Sequence, residues 1–326
     1  MAFSNTYDTT NPGSAVSNRE HLTDDLTIFA PEDTPILSSL PKKKATATKV
    51  EWTVDVLDAP RNSPIAEGED VTSFSDKFEG RARLDNRVQT FRRDWKVSKI
   101  QDAVTSVGPA NSVQAQKKCL REIKRDIELT LMDNGVKAAE DGAGTKNQMS
   151  GLDTWIDSAG PADVPASFRT PAASIHGSGA FTETVLNNMI TSIYRVNGES
   201  NGLTLVADTE LRRKISDFQY LGDQTSVVRN VNYDGGSGEV TLSVELYRSH
   251  HGVISIVNMN PVCAPDTTNK DYGYLLNLDY ACVYELLPLM SYQLEDEGGG
   301  KRGYMDATLT LGIKHPGAHG KITALS

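Results

Sequence analysis

Two strand-like runs, at 46–57 and 87–98, flank about thirty mostly polar residues without helical or strand periodicity, and this arrangement restricts the fold more than any other part of the sequence. In the first run Val50, Trp52, Val54 and Val56 alternate with Lys49, Glu51, Thr53 and Asp55, the period of a strand with one buried face. The second run carries Val88, Phe91, Trp95 and Val97 at less regular spacing. Between them, 58–86 is punctuated by Pro60, Pro64, Gly68 and Gly80. A segment of that length without structure of its own is uncommon inside a compact domain and usually serves a function or stays disordered. A dozen strand residues at ~3.3 Å each extend roughly 40 Å, whereas a 326-residue body has a radius of gyration of about 20 Å. A long hairpin here is therefore expected to project beyond its own subunit. It reads either as an arm that covers a neighbour or as an ordinary surface hairpin.

After Gly108-Pro109, residues 111–134 hold the clearest helical pattern. Asn111 or Ser112 can cap the start, Leu120, Ile123, Ile127 and Leu131 recur at helical spacing, and Asn134-Gly135 supplies a left-handed stop. Lys118 with Glu122 and Lys124 with Glu128 are four apart, so the opposite face reads as solvated or interfacial and charge-paired, not as a catalytic cluster. Upstream, 1–40 is polar with a short apolar cluster at Leu26, Ile28, Ile36 and Leu37, an extended arm with one helical turn that gains order by lying on its own body or on a neighbour. Residues 141–179, with an apolar island at Leu152, Trp155 and Ile156, read as crossing loops. Helices are expected at 181–196 and from an Asp208 cap to about 218. Strands are expected at 203–206, 240–247, 253–257, 282–294 and 305–313, with a turn at Gly235-Gly236-Ser237-Gly238 and a mobile connection at 297–303. Mixed elements without regular βα alternation make the fold class α+β.

The search for chemistry returns little. Gly298-Gly299-Gly300-Lys301 lacks the first glycine of a phosphate loop, Glu295 standing in its place, and Arg302 replaces the hydroxyl that holds magnesium. Glu239 likewise spoils a nucleophile elbow at 235–238. His250 and His251 would point to opposite sides of a strand, and Pro316-Gly317 separates His315 from His319, so neither pair forms a metal site. Cys119, Cys263 and Cys282 are odd in number and far apart, which fits small buried hydrophobes in a reducing cytoplasm. The N-terminus has no secretory pattern and no apolar run approaches the ~20 residues of a membrane span, so a soluble protein is expected. Lys plus Arg total 33 against 43 Asp plus Glu, a net charge of -10 that makes tight nucleic-acid binding a poor expectation. Glu67, Glu69 and Asp70 cluster on the long excursion, where a contact to a basic neighbour and simple solvation are equally good readings; Lys42, Lys43 and Lys44 are a plausible counterpart.

Read together, Asp33-Thr34-Pro35-Ile36-Leu37-Ser38-Ser39-Leu40, Lys44-Ala45-Thr46, Glu51-Trp52, Ala59-Pro60 and Glu67-Gly68-Glu69-Asp70 form an ordered series along the chain. It continues through Glu122-Ile123-Lys124-Arg125-Asp126-Ile127-Glu128, Gly151-Leu152, Trp155-Ile156 and Ala318-His319-Gly320-Lys321-Ile322. In order and spacing this series resembles the major head (capsid) proteins of tailed bacteriophages, in particular a group from short-tailed phages. The resemblance implies the capsid fold of those phages. Its parts would be an N-terminal arm at 1–45, an extended loop at 46–98, a peripheral domain with spine helix and crossing segment at 99–180, an axial domain at 181–280 and returning peripheral strands with the tail at 281–326. It further implies a subunit without catalytic residues, metal or cofactor that self-assembles as pentamers and hexamers into a virion shell in the host cytoplasm. Such a shell encloses double-stranded DNA without specific binding, involves no membrane, and works with portal, decoration or scaffolding proteins; scaffolding would come from a separate protein or a removed propeptide. Lys42, Lys43, Lys44, Glu67, Glu69 and Asp70 are the candidate inter-subunit contacts. Two alternatives stand beside this: a nanocompartment shell of the same fold enclosing protein cargo, and a soluble hydrolase using Glu67 and Asp70.

Overall fold

The computed structural model describes residues 31, 33–78, 80–104, 111–198, 202–218, 246–265 and 271–323. Leu26, Ile28, the 235–238 turn and residues 240–245 of one expected strand lie outside these residues. The elements in chain order are α1 (Pro35–Ser39), β1 (Lys42–Lys44), β2 (Lys49–Val54), β3 (Ala82–Arg87), β4 (Gln89–Ser98), α2 (Lys99–Ala103), α3 (Asn111–Met132) and α4 (Leu152–Trp155). There follow β5 (Ile175–His176), α5 (Glu183–Asn197), β6 (Leu203–Ala207), α6 (Thr209–Asp217), β7 (Leu246–Ser249), β8 (Gly252–Asn258), β9 (Gly273–Asn277), β10 (Ala281–Leu294), β11 (Gly300–Ile313) and β12 (Gly320–Ile322). The α+β class is as expected. No helix among the described residues is long and apolar enough to cross a membrane.

The long helix α3 forms where its apolar stripe requires. Ile123, Ile127 and Leu131 are buried, together with Cys119 and Met132, against a four-stranded sheet ordered β1-β10-β11-β4. Arg93 of β4 grips Asp126 with two hydrogen bonds of 2.5 and 2.8 Å, a fork that fixes the helix on the sheet. The six-stranded sheet, ordered β5-β12-β9-β6-β8-β7, carries a second core with α5 and α6. Strand β6 is buried on both faces: Leu203, Leu205 and Ala207 belong to this second core, and Val206 to the first. The side chain of Asp208 accepts the Thr209 amide at 2.6 Å and starts α6, the cap expected from sequence. Residues 320–322 return to pair with β9 and β5, so the end of the chain completes this sheet.

Three expectations need correction. Residues 300–303 are not a mobile connection but the first residues of β11, paired with 95–98 of β4. The glycines there permit close packing: a Cβ on Gly300 would collide with the Val97 carbonyl, and one on Gly303 would collide with the Tyr292 carbonyl and the Trp95 ring. The second strand-like run divides at Val88, with β3 pairing to β2 and β4 to β11, and the β2–β3 ladder is six residues long instead of a dozen.

The third correction concerns Glu128. It does not lie on a solvated face paired with Lys124; it is fully buried, and its two oxygens accept the backbone amides of Ile36 and Leu37, each at 2.8 Å. The helix stripe and the α1 turn thus lock together, with Ile36, Leu37 and Leu40 in the same core. Burial pushes the Glu128 carboxyl up to about 7, more than the two amide donors pull it down. A raised folded-state value stabilises the fold fully below about pH 4.5 and loses that contribution as pH rises through about 7, on the order of 3 kcal/mol. Thermal melts between pH 5 and 8 should therefore show a declining midpoint in the natural chain. The decline should be much shallower in Glu128→Gln, and equal slopes would rule this assignment out.

Candidate assembly surfaces

The excursion begins on a firm stem. Trp52 of β2 stacks at 6.4 Å on Tyr284 and lies 5.6 Å from Trp155, and Leu84 of β3 is fully buried. Asn86 is buried and its side chain makes four hydrogen bonds, donating to the Ser150 and Leu311 carbonyls and accepting the Ser150 and Arg87 amides. Lys137 bridges Asp85 at 3.0 Å and Asp163 at 2.5 Å. These ties fix the direction in which the chain leaves the body.

Beyond the stem, every described residue of 55–81 is exposed to solvent. The pattern predicts a polar excursion at 58–86 after a strand ending at Leu57, yet Leu57, Ile65, Val71, Phe74 and Phe78 are exposed by 94, 77, 68, 89 and 62%. Irregular spacing hid them from a periodicity search. Apolar side chains exposed to this extent leave a large area unfavourably hydrated.

The six residues singled out as contacts occupy two places. Glu67, Glu69 and Asp70 sit on the exposed excursion, where Glu69 accepts the Ala66 amide at 3.0 Å and closes the turn at Gly68. Lys42, Lys43 and Lys44 form β1, running parallel to Val283, Tyr284 and Glu285 of β10, and Lys42 pairs with Glu285 at 2.7 Å. Lys43 lies beside Lys314 and holds that ammonium below its ordinary range. Among the described residues no ion pair joins the two clusters within the chain.

The residues examined for chemistry take structural parts. The Asp296 carboxylate accepts the amides of Gly298 and Gly300, so the glycine loop spends its donors internally; Lys99 and these amides hold that carboxylate down at about 2. His319 is fully buried, accepts the Asn277 amide at 3.2 Å through Nδ1, and is pushed down to about 3 by burial, which keeps it neutral. His251 stacks on Tyr194 at 4.7 Å. All three cysteines are buried and form no disulfide, and no metal-holding group occurs among the described residues.

Lys321, which no sequence pattern marks as buried, is 5% exposed and donates to the Asp153 carbonyl at 3.0 Å while pairing with the Asp153 and Asp157 carboxylates at 3.1 and 3.2 Å. It joins 318–322 to 151–157, and Glu128 joins 122–128 to 33–40.

Comparison with known proteins gives a consistent picture. A family model described as SU10 major capsid protein matches residues 3–326. No curated protein matches the sequence. Among solved structures, the capsid of cyanophage A-1(L) is similar with a TM-score of 0.63 and 16% identity, covering 96% of this chain and 99% of that one. The capsid of cyanophage P-SCSP1u gives 0.62 at 13% identity over 94 and 92%. The capsid of a native GTA particle gives 0.62 at 10% identity over 97 and 98%.

Proposed function

Since the chain belongs to the SU10 major capsid protein family and is a structural subunit of a phage capsid, we propose that it closes as pentamers and hexamers into an icosahedral shell around double-stranded DNA in the host cytoplasm. On this reading the excursion at 46–98 reaches over a neighbour, 99–180 with 281–326 forms the peripheral domain, and 181–280 forms the axial domain. The carrying observation is the set of exposed apolar side chains from Leu57 to Phe78 on a firmly anchored stem. A single soluble subunit gains nothing from them, whereas a closed ring buries each set against the next copy. Glu67, Glu69 and Asp70 then meet basic groups of the neighbour, with Lys42, Lys43 and Lys44 as counterparts. Portal and decoration functions fall to separate proteins, scaffolding to a separate protein or a removed propeptide, and the subunit itself catalyses nothing. Neither nanocompartment cargo nor hydrolysis has a supporting observation; Glu67 and Asp70 stand on an exposed segment, not in a cleft where carboxylates do acid and base work. Electron micrographs of the purified chain test the shell directly, with closed particles expected and a persistent monomer contrary to it.

The net charge of -10 sets the relation to the enclosed DNA. Purified subunits should bind DNA without sequence preference, and residual association should disappear by moderate salt because few phosphates are neutralised. A sequence-selective complex that survives physiological salt would overturn this expectation.

A further inference from the structure

The backbone ladder of the excursion stem ends at the Val54–Ala82 pair. One cause is local: the Asp55 side chain takes the Val56 amide at 2.9 Å, and Pro60 and Pro64 lack the donor a ladder needs. Past this point the two limbs stay joined through charge. Asp55 pairs with Arg81 at 2.8 Å, and these residues are the next rung of the β2–β3 register. Asp58 pairs with Lys77 at 2.5 Å, one residue off that register further out. Below them Glu51 reaches Arg83 diagonally at 3.3 Å, besides pairing with Lys49 of its own limb at 2.5 Å. All three acids are on the outgoing limb and all three bases on the returning limb. The Arg81 guanidinium and the Lys77 ammonium hold the Asp55 and Asp58 carboxyls below the usual range, and Arg81 also covers the Phe78 ring at 4.2 Å.

We propose that Glu51, Asp55 and Asp58 on one limb and Arg83, Arg81 and Lys77 on the other form a charge zipper. It keeps the two limbs side by side past the end of the backbone ladder and makes the reach of the arm depend on ionic strength. The consequence for assembly rests on the reading of 55–81 as an assembly arm; the zipper itself does not. Exposed ion pairs are individually weak and screened by salt. That weakness suits a device that must hold two limbs together in a free subunit yet adapt when a neighbour arrives. Other charges on the segment, Arg61, Glu67, Glu69, Asp70 and Asp76, take no part in the alternation of sign across the limbs.

Spin labels on cysteines placed at the exposed positions Leu57 and Ser75 report the limb separation in unassembled full-length subunits, the natural cysteines being buried. At low salt a narrow distance distribution is expected. It should broaden in Lys77→Glu, narrow again in the swap Asp58→Lys with Lys77→Glu, and broaden in the natural sequence at high salt. Assembly rate should fall about two- to five-fold in the single reversal and recover in the swap, the range expected for one exposed pair. A distribution unchanged by the reversal, or by salt, overturns the zipper. Broadening without any change in shell formation keeps the zipper and counts against the arm reading, so the two failures are distinguishable.

Discussion

Ile127→Asp subunits are expected to be recovered unfolded or insoluble. Ile127 is 2% exposed on α3 and belongs to the core shared by the helix, the four-stranded sheet and the α1 turn. Removing the isoleucine forfeits roughly 2–5 kcal/mol of burial and packing. The aspartate then places a carboxylate among apolar side chains with no donor prepared for it, which costs several kcal/mol more or forces its protonation. Against a total stability of about 5–15 kcal/mol the sum is enough to unfold the chain. Ile127→Val is the control and should cost only about 1 kcal/mol. Circular dichroism melts check both; an aspartate variant that is soluble and melts like the natural chain would show that the stripe is not buried.

That prediction could be made from spacing alone, and the reason marks the boundary of what a sequence discloses here. Periodicity reports burial when the partner is simply the interior, so Ile123, Ile127 and Leu131 are legible, as is the cap at Asp208, which acts on the next residue. It fails where a side chain serves backbone far away. Glu128 stands four residues from Lys124 like any surface pair, but its donors are the amides of Ile36 and Leu37, and no local pattern encodes that. Strand β1 is three consecutive lysines, held by backbone pairing to β10 and by Lys42–Glu285, with no alternation to announce it. The glycines at 300 and 303 look like a loop, because absence of a side chain serves mobility and close approach equally well.

The surface proposed for assembly divides along the same line. Its exposed acids and lysines were visible as charge clusters. Ile65, Val71, Phe74 and Phe78 were not, because exposed residues outside a helix or strand follow no period of 2 or 3.6. The motif series was informative for a different reason: Glu128 and Lys321 bind pieces of it that are distant in sequence, so the pieces are positions where the fold is tied.

Replacing 62–81 with a short Gly-Asn turn should leave a folded subunit that no longer makes shells. The two halves of this expectation have different physical origins. Folding is carried by the two cores, and none of the deleted residues belongs to either. The stem is retained through Trp52, Leu84 and Asn86, and a shorter closing loop costs no more entropy than the natural one. The melting midpoint should therefore shift little. Assembly is carried by contacts between copies, and the deletion removes Ile65, Val71, Phe74 and Phe78 together with Glu67, Glu69 and Asp70 from every one of them. A loss of even ~1.4 kcal/mol at one contact is a tenfold loss in that association, and in a closed ring it recurs at each interface and compounds across the particle. Shells should be absent or scarce at concentrations where the natural chain closes completely. The measurement pairs a thermal melt with sedimentation and micrographs of the same sample. Abundant intact shells would remove the excursion from the assembly contacts, and an unfolded chain would make it part of the subunit's own core.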